Sequence, residues 1–318
     1  MTDLNKREMA QIVSILYYEK NKSQNEIAEE LNISRSYVSQ LLSYAKEIGI
    51  VKIIINIDEY NLRMIRRELD FKSKFPGLKQ VYIMSSDSED FTNMNLGKFA
   101  VPYITDMIND SEVIGINLGL SVEKTIDSLN KQDFQNTNNK KVVQIMGGFY
   151  KNSIINSAHP NEIVNKLSSI LGCECYFLNC PAIVEEPDNK FFFMKENSIK
   201  KVIDLWDHLD LAIMGIGVAD QRSKLFNLFN DEMVKKITES HVCSEVTINF
   251  FRENGVYEPI LEQNKISISY EQLKKVKRKV AICSGEYKKH AVLAALRAGM
   301  IDVLISDSLT IDAIEKII

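Results

Sequence analysis

"SQNEIAEELNISRSYVSQLLSYAKEIG", residues 23–49, reads as two short helices joined by a turn. Ser23 followed by Glu26 is a capping-box pair, the serine taking the amide of the third helical residue while the glutamate returns to the serine amide. Ile27, Ala28 and Leu31 follow at helical spacing. Ser34 caps the next helix, in which Val38, Leu41, Leu42, Ala45 and Ile48 form one apolar stripe, and Gly49 supplies the stop. Only "NIS" separates the two, with Ala28 small where helices would cross and Ile33 placed to plug the turn. Upstream, Met9, Ile12, Val13, Leu16 and Tyr17 give a first helix. The whole is a helix-turn-helix pattern.

In that arrangement the last helix enters the major groove and its N-terminal residues meet base edges. The outward residues there are Arg35, Ser36, Tyr37, Ser39 and Gln40, with no acid between Asn32 and Lys46. Arginine pairs with guanine and glutamine with adenine, while Ser and Tyr reach phosphates. Net charge does not carry the assignment. Up to residue 55, Lys6, Arg7, Lys20, Lys22, Arg35, Lys46 and Lys52 are balanced by Asp3, Glu8, Glu19, Glu26, Glu29, Glu30 and Glu47. The bland alternative is an ordinary three-helix packing unit, but its solvent face would be Glu and Lys. DNA binding is the expectation. The run "IVKIIINID" (50–58) alternates and reads as a small wing strand.

At 318 residues the chain suits two domains. No apolar run reaches the roughly 18 residues of a membrane span, and the start, "MTDLNKREMAQ", has no signal-peptide core, so a cytoplasmic protein is expected. A net charge of −4 argues against non-specific polyanion binding. Cys173, Cys175, Cys180, Cys243 and Cys283 read as reduced, mostly buried thiols. A zinc site at Cys173, Cys175 and Cys180 would need a fourth ligand, with only His159 near, so no metal and no cofactor is expected.

The expected layout is a DNA-binding domain at 1–56, a linker helix at 57–77 and a ligand domain at 78–318. On the linker, Leu62, Ile65 and Leu69 share a face, suited either to a dimer contact or to packing on the same domain. Beyond it the chain repeats an apolar run, a glycine and an amphipathic helix: "VIGINLG" (113–119), "KVVQIMGG" (141–148), "DLAIMGIG" (210–217), "KVAICSG" (279–285) and "DVLISD" (302–307). Apolar runs without alternation indicate an α/β fold, a mostly parallel sheet covered on both faces. Ligands bind such sheets beyond the strands' carboxyl ends, where these glycines fall.

Gly119-Leu120-Ser121 before a helix is a candidate phosphate cradle, with Ser121 donating a hydroxyl and capping that helix. Lys288 opens a later helix, where a lysine opposes the dipole unless an anion is near. Glu245, in "HVCSEVTINFF", lies between apolar residues, and a carboxylate that accepts a sugar hydroxyl has the geometry of a general base. No GxGxxG or GxxxxGK[ST] is present, which counts against dinucleotide and P-loop folds. Each strand–Gly–helix corner is also an ordinary structural feature of α/β proteins.

Taken together, "QNEIAEELNISRSYVSQLL", "VIGINLGLSVEKTI", "VVQIMGG", "CPAIV", "DLAIMGIG", "SEVTINFF" and "SGEYKKHAVLAALRAGMIDVLISDSLT", in this order over about residues 5–318, resemble the SorC/DeoR-type sugar-binding transcriptional regulators. The resemblance implies a Rossmann-like effector domain related to phosphosugar isomerases; sensing rather than catalysis is the expectation, with no catalytic residue assigned. It also implies a phosphorylated sugar or polyol that modulates binding to operator DNA, a homo-oligomer (dimer or tetramer), and regulation of a sugar or polyol operon, with repression the working expectation. Carried over residue by residue, it points to Gly119, Leu120, Ser121, Gly147, Gly148, Glu245 and Lys288 as effector contacts, and less directly to His159. Leu120, Met146 and Ser284 depart from the family pattern and leave the cradle with less positive charge. The alternative is a phosphosugar isomerase with an accessory helical domain.

Overall fold

A computed structural model describes residues 5–52, 59–88, 92–135, 137–149, 160–223, 225–226 and 229–318. The chain divides into two compact units, Met1–Leu62 and Arg63–Ile318. No helix among the described residues is long and apolar enough to cross a membrane.

In the smaller unit, α1 (Lys6–Ser14) runs into a π-helical turn, Ile15–Glu19, and is followed by α2 (Gln24–Leu31) and α3 (Arg35–Glu47). The Ser23–Glu26 capping box forms, and Ser34 Oγ accepts the Tyr37 N–H at 3.1 Å. Asn32 makes the turn in the left-handed region (φ 52°), which Asn tolerates better than most residues. Ala10, Val13, Ile27, Val38, Leu41, Leu42 and Ala45 form the core, with Ala28 and Ile33 packed at its edge. Ile48 does not join the stripe: it falls at the C-cap, after the last helical turn, and is 39% exposed. Of the wing segment, 53–58 lie outside the described residues.

Helix α4 (Glu59–Ser73) turns a different face inward from the one its apolar spacing suggests. Phe71 is buried and Met64 half-buried against the large unit's core, whereas Leu62, Ile65 and Leu69 are exposed. Arg67 pairs with Asp312, and Glu68 Oε1 accepts the Ile83 N–H at 2.9 Å. Polar anchoring thus helps set which face is buried.

The large unit is built on seven parallel strands: β1 (Gln80–Met84), β2 (Val113–Ile116), β3 (Lys141–Gln144), β4 (Glu174–Tyr176), β5 (Leu211–Met214), β10 (Arg278–Ile282) and β11 (Val303–Asp307). Their order is β1-β11-β10-β5-β2-β3-β4. The five repeated apolar runs form β2, β3, β5, β10 and β11, and successive residues serve opposite cores. Leu211 and Ile213 face α5 (Thr92–Asn109) and α6 (Leu120–Ser128), while Ala212 and Met214 face the Asn197–Trp206 and Lys289–Arg297 helices. Burial on both faces explains why polarity does not alternate along them.

A four-stranded antiparallel sheet follows β5: β6 (Gly217–Val218), β7 (Ser244–Val246), β8 (Asn249–Phe251) and β9 (Tyr257–Glu258). None of the sequence patterns above announces it. All five cysteines are free; Cys180 and Cys283 are buried, but Cys173, Cys175 and Cys243 are half-buried, the first two beside or on the edge strand β4.

Candidate functional site

Strand order decides where a ligand can enter. From β2 the chain moves outward through β3 and β4, then returns to place β5 on the opposite side of β2 and continues through β10 to β11. The loops after β2 and β5 therefore leave in opposite directions and open a crevice between them, the switch point where ligands of such folds sit. The two loops meet closely: a Cβ added to Gly119 would lie 3.3 Å from Gly215 Cα.

A cleft of about 200 Å³ occupies this point. Gly119, Leu120 and Ser121 line it from the start of α6, Glu245 from β7, and Lys288 and Ser284 from the segment after β10. Gly119 is the α6 N-cap, and the Glu123 N–H returns to its carbonyl at 2.8 Å. The amides of Leu120–Val122, ahead of that bond, are those an α-helix leaves without an internal acceptor. Ser121 does not cap the helix as expected: its Oγ donates sideways to Asn93 Oδ1 at 2.7 Å. Lys288 lies in a short 3-10 turn, Glu286–Lys288, just ahead of the Lys289–Arg297 helix rather than within it. That turn begins at Gly285 (φ 115°), where a Cβ would come 2.6 Å from the Tyr287 ring.

Glu245 is 4% exposed, and burial pushes its carboxyl up to about 7. The Ile248 N–H that it accepts and the charges of Lys265 and Lys288 pull the other way. It faces Gly217 across the β6–β7 pair, and a Cβ on that glycine would come 2.5 Å from its Oε2. Gly217 therefore makes room for the carboxylate rather than for a ligand. Behind Glu245, Lys265 is almost wholly buried, its Nζ 2.5 Å from Glu262 and 2.6 Å from Asn249 Oδ1.

The paired glycines are placed differently from expectation. Met146 lines the cleft, but the Gly147 N–H donates to Ile266 C=O (2.9 Å) and the Gly148 N–H to Cys180 C=O (2.8 Å). Gly147 also lies against the Pro181–Ala182 backbone, 2.6 Å from an added Cβ. These amides are spent on closing the fold, not on a ligand. His159 lies outside the described residues.

Two cleft residues carry no strand–Gly–helix signal. Arg222, in the loop after β6, chelates Asp220 (Nε to Oδ1 3.0 Å) and stands 5.7 Å from the Tyr287 ring, within cation–π range. Asn93 comes from the first turn of α5. A lone Arg in "ADQRSK" was the only trace of the former in the sequence. Among the described residues no group of three or more His, Cys, Asp or Glu is arranged to hold a metal ion.

In the smaller unit Arg35, Ser36, Ser39 and Gln40 are exposed on α3, while Tyr37 is half-buried against the helical core. Ser36 Oγ lies 2.9 Å from Ser34 Oγ, the cap of the helix. Four of the five expected DNA contacts thus present their side chains to solvent on one turn and a half of helix.

Comparison with known proteins agrees with both units. The Sugar-bind model, a sugar-binding domain family, matches residues 60–315, and the model of region 4 of sigma-70 matches residues 1–47. The sorbitol operon regulator of Klebsiella pneumoniae is 28% identical over 96% of this chain and 96% of its own length. The deoxyribonucleoside regulator of Bacillus subtilis is 25% identical over 98% of each. The crystal structure of full-length SorC from Klebsiella pneumoniae superposes with a TM-score of 0.71 at 26% identity, covering 98% of this chain and 99% of that one. With a helix-turn-helix unit, a parallel sheet opening a polar cleft at its switch point, and a family model spanning most of the sequence, the chain belongs to the SorC/DeoR-type family of sugar-binding transcriptional regulators.

Proposed function

We propose that the cleft binds a phosphorylated sugar or polyol, and that its occupancy changes the affinity of the smaller unit for operator DNA. The observation that carries this reading is the convergence on one crevice of a helix N-terminus, Lys288, Arg222 and the buried Glu245. The α6 amides and the lysine suit a phosphate, and Arg222, already paired with Asp220, adds a guanidinium at the rim. Glu245 suits a hydroxyl, which it can accept as carboxylate or donate to as acid. Arg35, Ser36, Tyr37, Ser39 and Gln40 read DNA, and a two-fold operator calls for at least a dimer. The protein acts in the cytoplasm, where operators are, and senses its ligand rather than converting it. The relatives reported above, all named as regulators, support sensing over the isomerase alternative.

The test is a thermal-shift screen of sugar and polyol phosphates beside their unphosphorylated parents, followed by fluorescence anisotropy on operator DNA. A ligand at 100 times its Kd stabilises the folded state by about 2.7 kcal/mol. Lys288→Ala is expected to abolish the shift given by a phosphate. Arg35→Ala is expected to weaken DNA binding by about 1–3 kcal/mol and to leave the ligand shift intact. Turnover of a sugar phosphate that is lost in Glu245→Gln would favour the isomerase instead.

A further inference from the structure

Ser121 of the expected cradle and Ser284, one of the departures from the family pattern, point at the same atom. Ser121 Oγ donates to Asn93 Oδ1 at 2.7 Å and Ser284 Oγ donates to it at 3.1 Å. Ser121 follows β2, Ser284 follows β10 and Asn93 stands on α5, so one carboxamide ties together loops from both sides of the crevice. Both serines are nearly buried, at 3% and 5% exposed, and all three residues line the cleft.

A serine has one hydroxyl hydrogen, and here both are committed to the asparagine. What this wall offers a ligand is therefore serine lone pairs together with the amide hydrogens of Asn93 Nδ2. A phosphate dianion carries no hydrogen, so it finds no donor in either serine and meets their lone pairs instead. A hydroxyl, which both donates and accepts, satisfies both kinds of group.

We propose that Asn93, with Ser121 and Ser284, forms a subsite that reads an uncharged hydroxyl of the ligand, and that Asn93 is the residue that sets the cleft's preference for a polyhydroxy compound over a bare anion. The proposal rests on the reading of this cleft as the effector site. It separates two ends of the ligand: the anionic group belongs with Lys288 and the α6 amides, and a hydroxylated carbon with the Asn93 wall.

The test is calorimetric titration of the full chain and of its Asn93→Ala and Asn93→Asp variants. The probes are inorganic phosphate and a panel of four- to six-carbon polyols and aldoses with their terminal monophosphates. In Asn93→Ala the best-binding polyhydroxy compound should lose about tenfold in affinity, the range of one or two hydrogen bonds. Inorganic phosphate should bind no more weakly, because two hydroxyl hydrogens have been freed for it. Asn93→Asp still accepts both serines but no longer donates, and should lose the polyhydroxy compound as well. A uniform loss for all probes in Asn93→Ala, or no change, overturns the proposal, since a structural role would not alter the ratio of affinities. A wild-type protein that binds no polyhydroxy compound better than inorganic phosphate overturns it too. If an unphosphorylated parent binds as tightly as its phosphate, the phosphate reading fails, and this subsite then stands or falls on the loss of that parent in Asn93→Ala.

Discussion

Replacing Glu245 by Gln separates the buried acid's charge from its shape. Glutamine keeps an oxygen to accept the Ile248 N–H and cannot ionise. In the wild type, burial moves the carboxyl from its ordinary 4.5 to about 7, against the pull of that N–H and of Lys265 and Lys288. The proton is held more tightly in the folded state, so this group favours folding at low pH. Its contribution is complete below about pH 4.5, declines as the pH rises, and is gone above about pH 7, where the carboxylate must be buried charged. At 1.36 kcal/mol for each tenfold change in proton affinity, the contribution is about 3 kcal/mol. Other acids titrate alike in both proteins and cancel in the difference. The stability of wild type minus that of Glu245→Gln should therefore fall by about 3 kcal/mol between pH 4.5 and pH 8. For a unit of this size that is a Tm difference of about 6 °C. Trp206 is the only tryptophan, is 3% exposed, and donates from Nε1 to Gln144 C=O at 3.0 Å, so its fluorescence follows the large unit alone. A difference that stays flat across this pH range would mean that Glu245 ionises as a solvated acid, and its burial against β6 and β8 would be wrong.

Gly217→Ala should lower the large unit's stability by about 1–3 kcal/mol, since the new methyl meets Glu245 Oε2; it should also weaken ligand binding, both read from Trp206 melting with and without ligand. Ser34→Ala should cost the helical unit about 1 kcal/mol through loss of the α3 cap, seen as an earlier loss of helical circular dichroism with no change in the Trp206 transition.

How far the sequence could be read followed the range of the interactions involved. The helix-turn-helix unit was legible because capping and apolar spacing act within three or four residues: Ser23 with Glu26, Ser34 with Tyr37, and Val38 with Leu41 and Leu42. Its one misplaced residue, Ile48, sits where the helical period ends. Five strands of the parallel sheet were legible for a similar reason, since a strand buried on both faces writes itself as an unbroken apolar run.

The site needed the tertiary structure. Asn93 reaches Ser121 across 28 positions and Ser284 across 191, and only the strand order brings them together. Gly217 and Glu245 meet through the register of an antiparallel pair that no local pattern encodes. Gly147 and Gly148 looked like ligand contacts because the neighbours that claim their amides, Ile266 and Cys180, are remote in the chain. Helix α4 shows the same division: its apolar spacing marks Leu62, Ile65 and Leu69, but the anchors at Asp312 and Ile83 help turn Phe71 inward instead. Sequence alone determined that the chain holds a helix-turn-helix and an α/β sheet, because short-range periodicity and capping suffice for that. Which side chains share the cleft was decided by sheet order and strand register, which depend on pairings between distant residues.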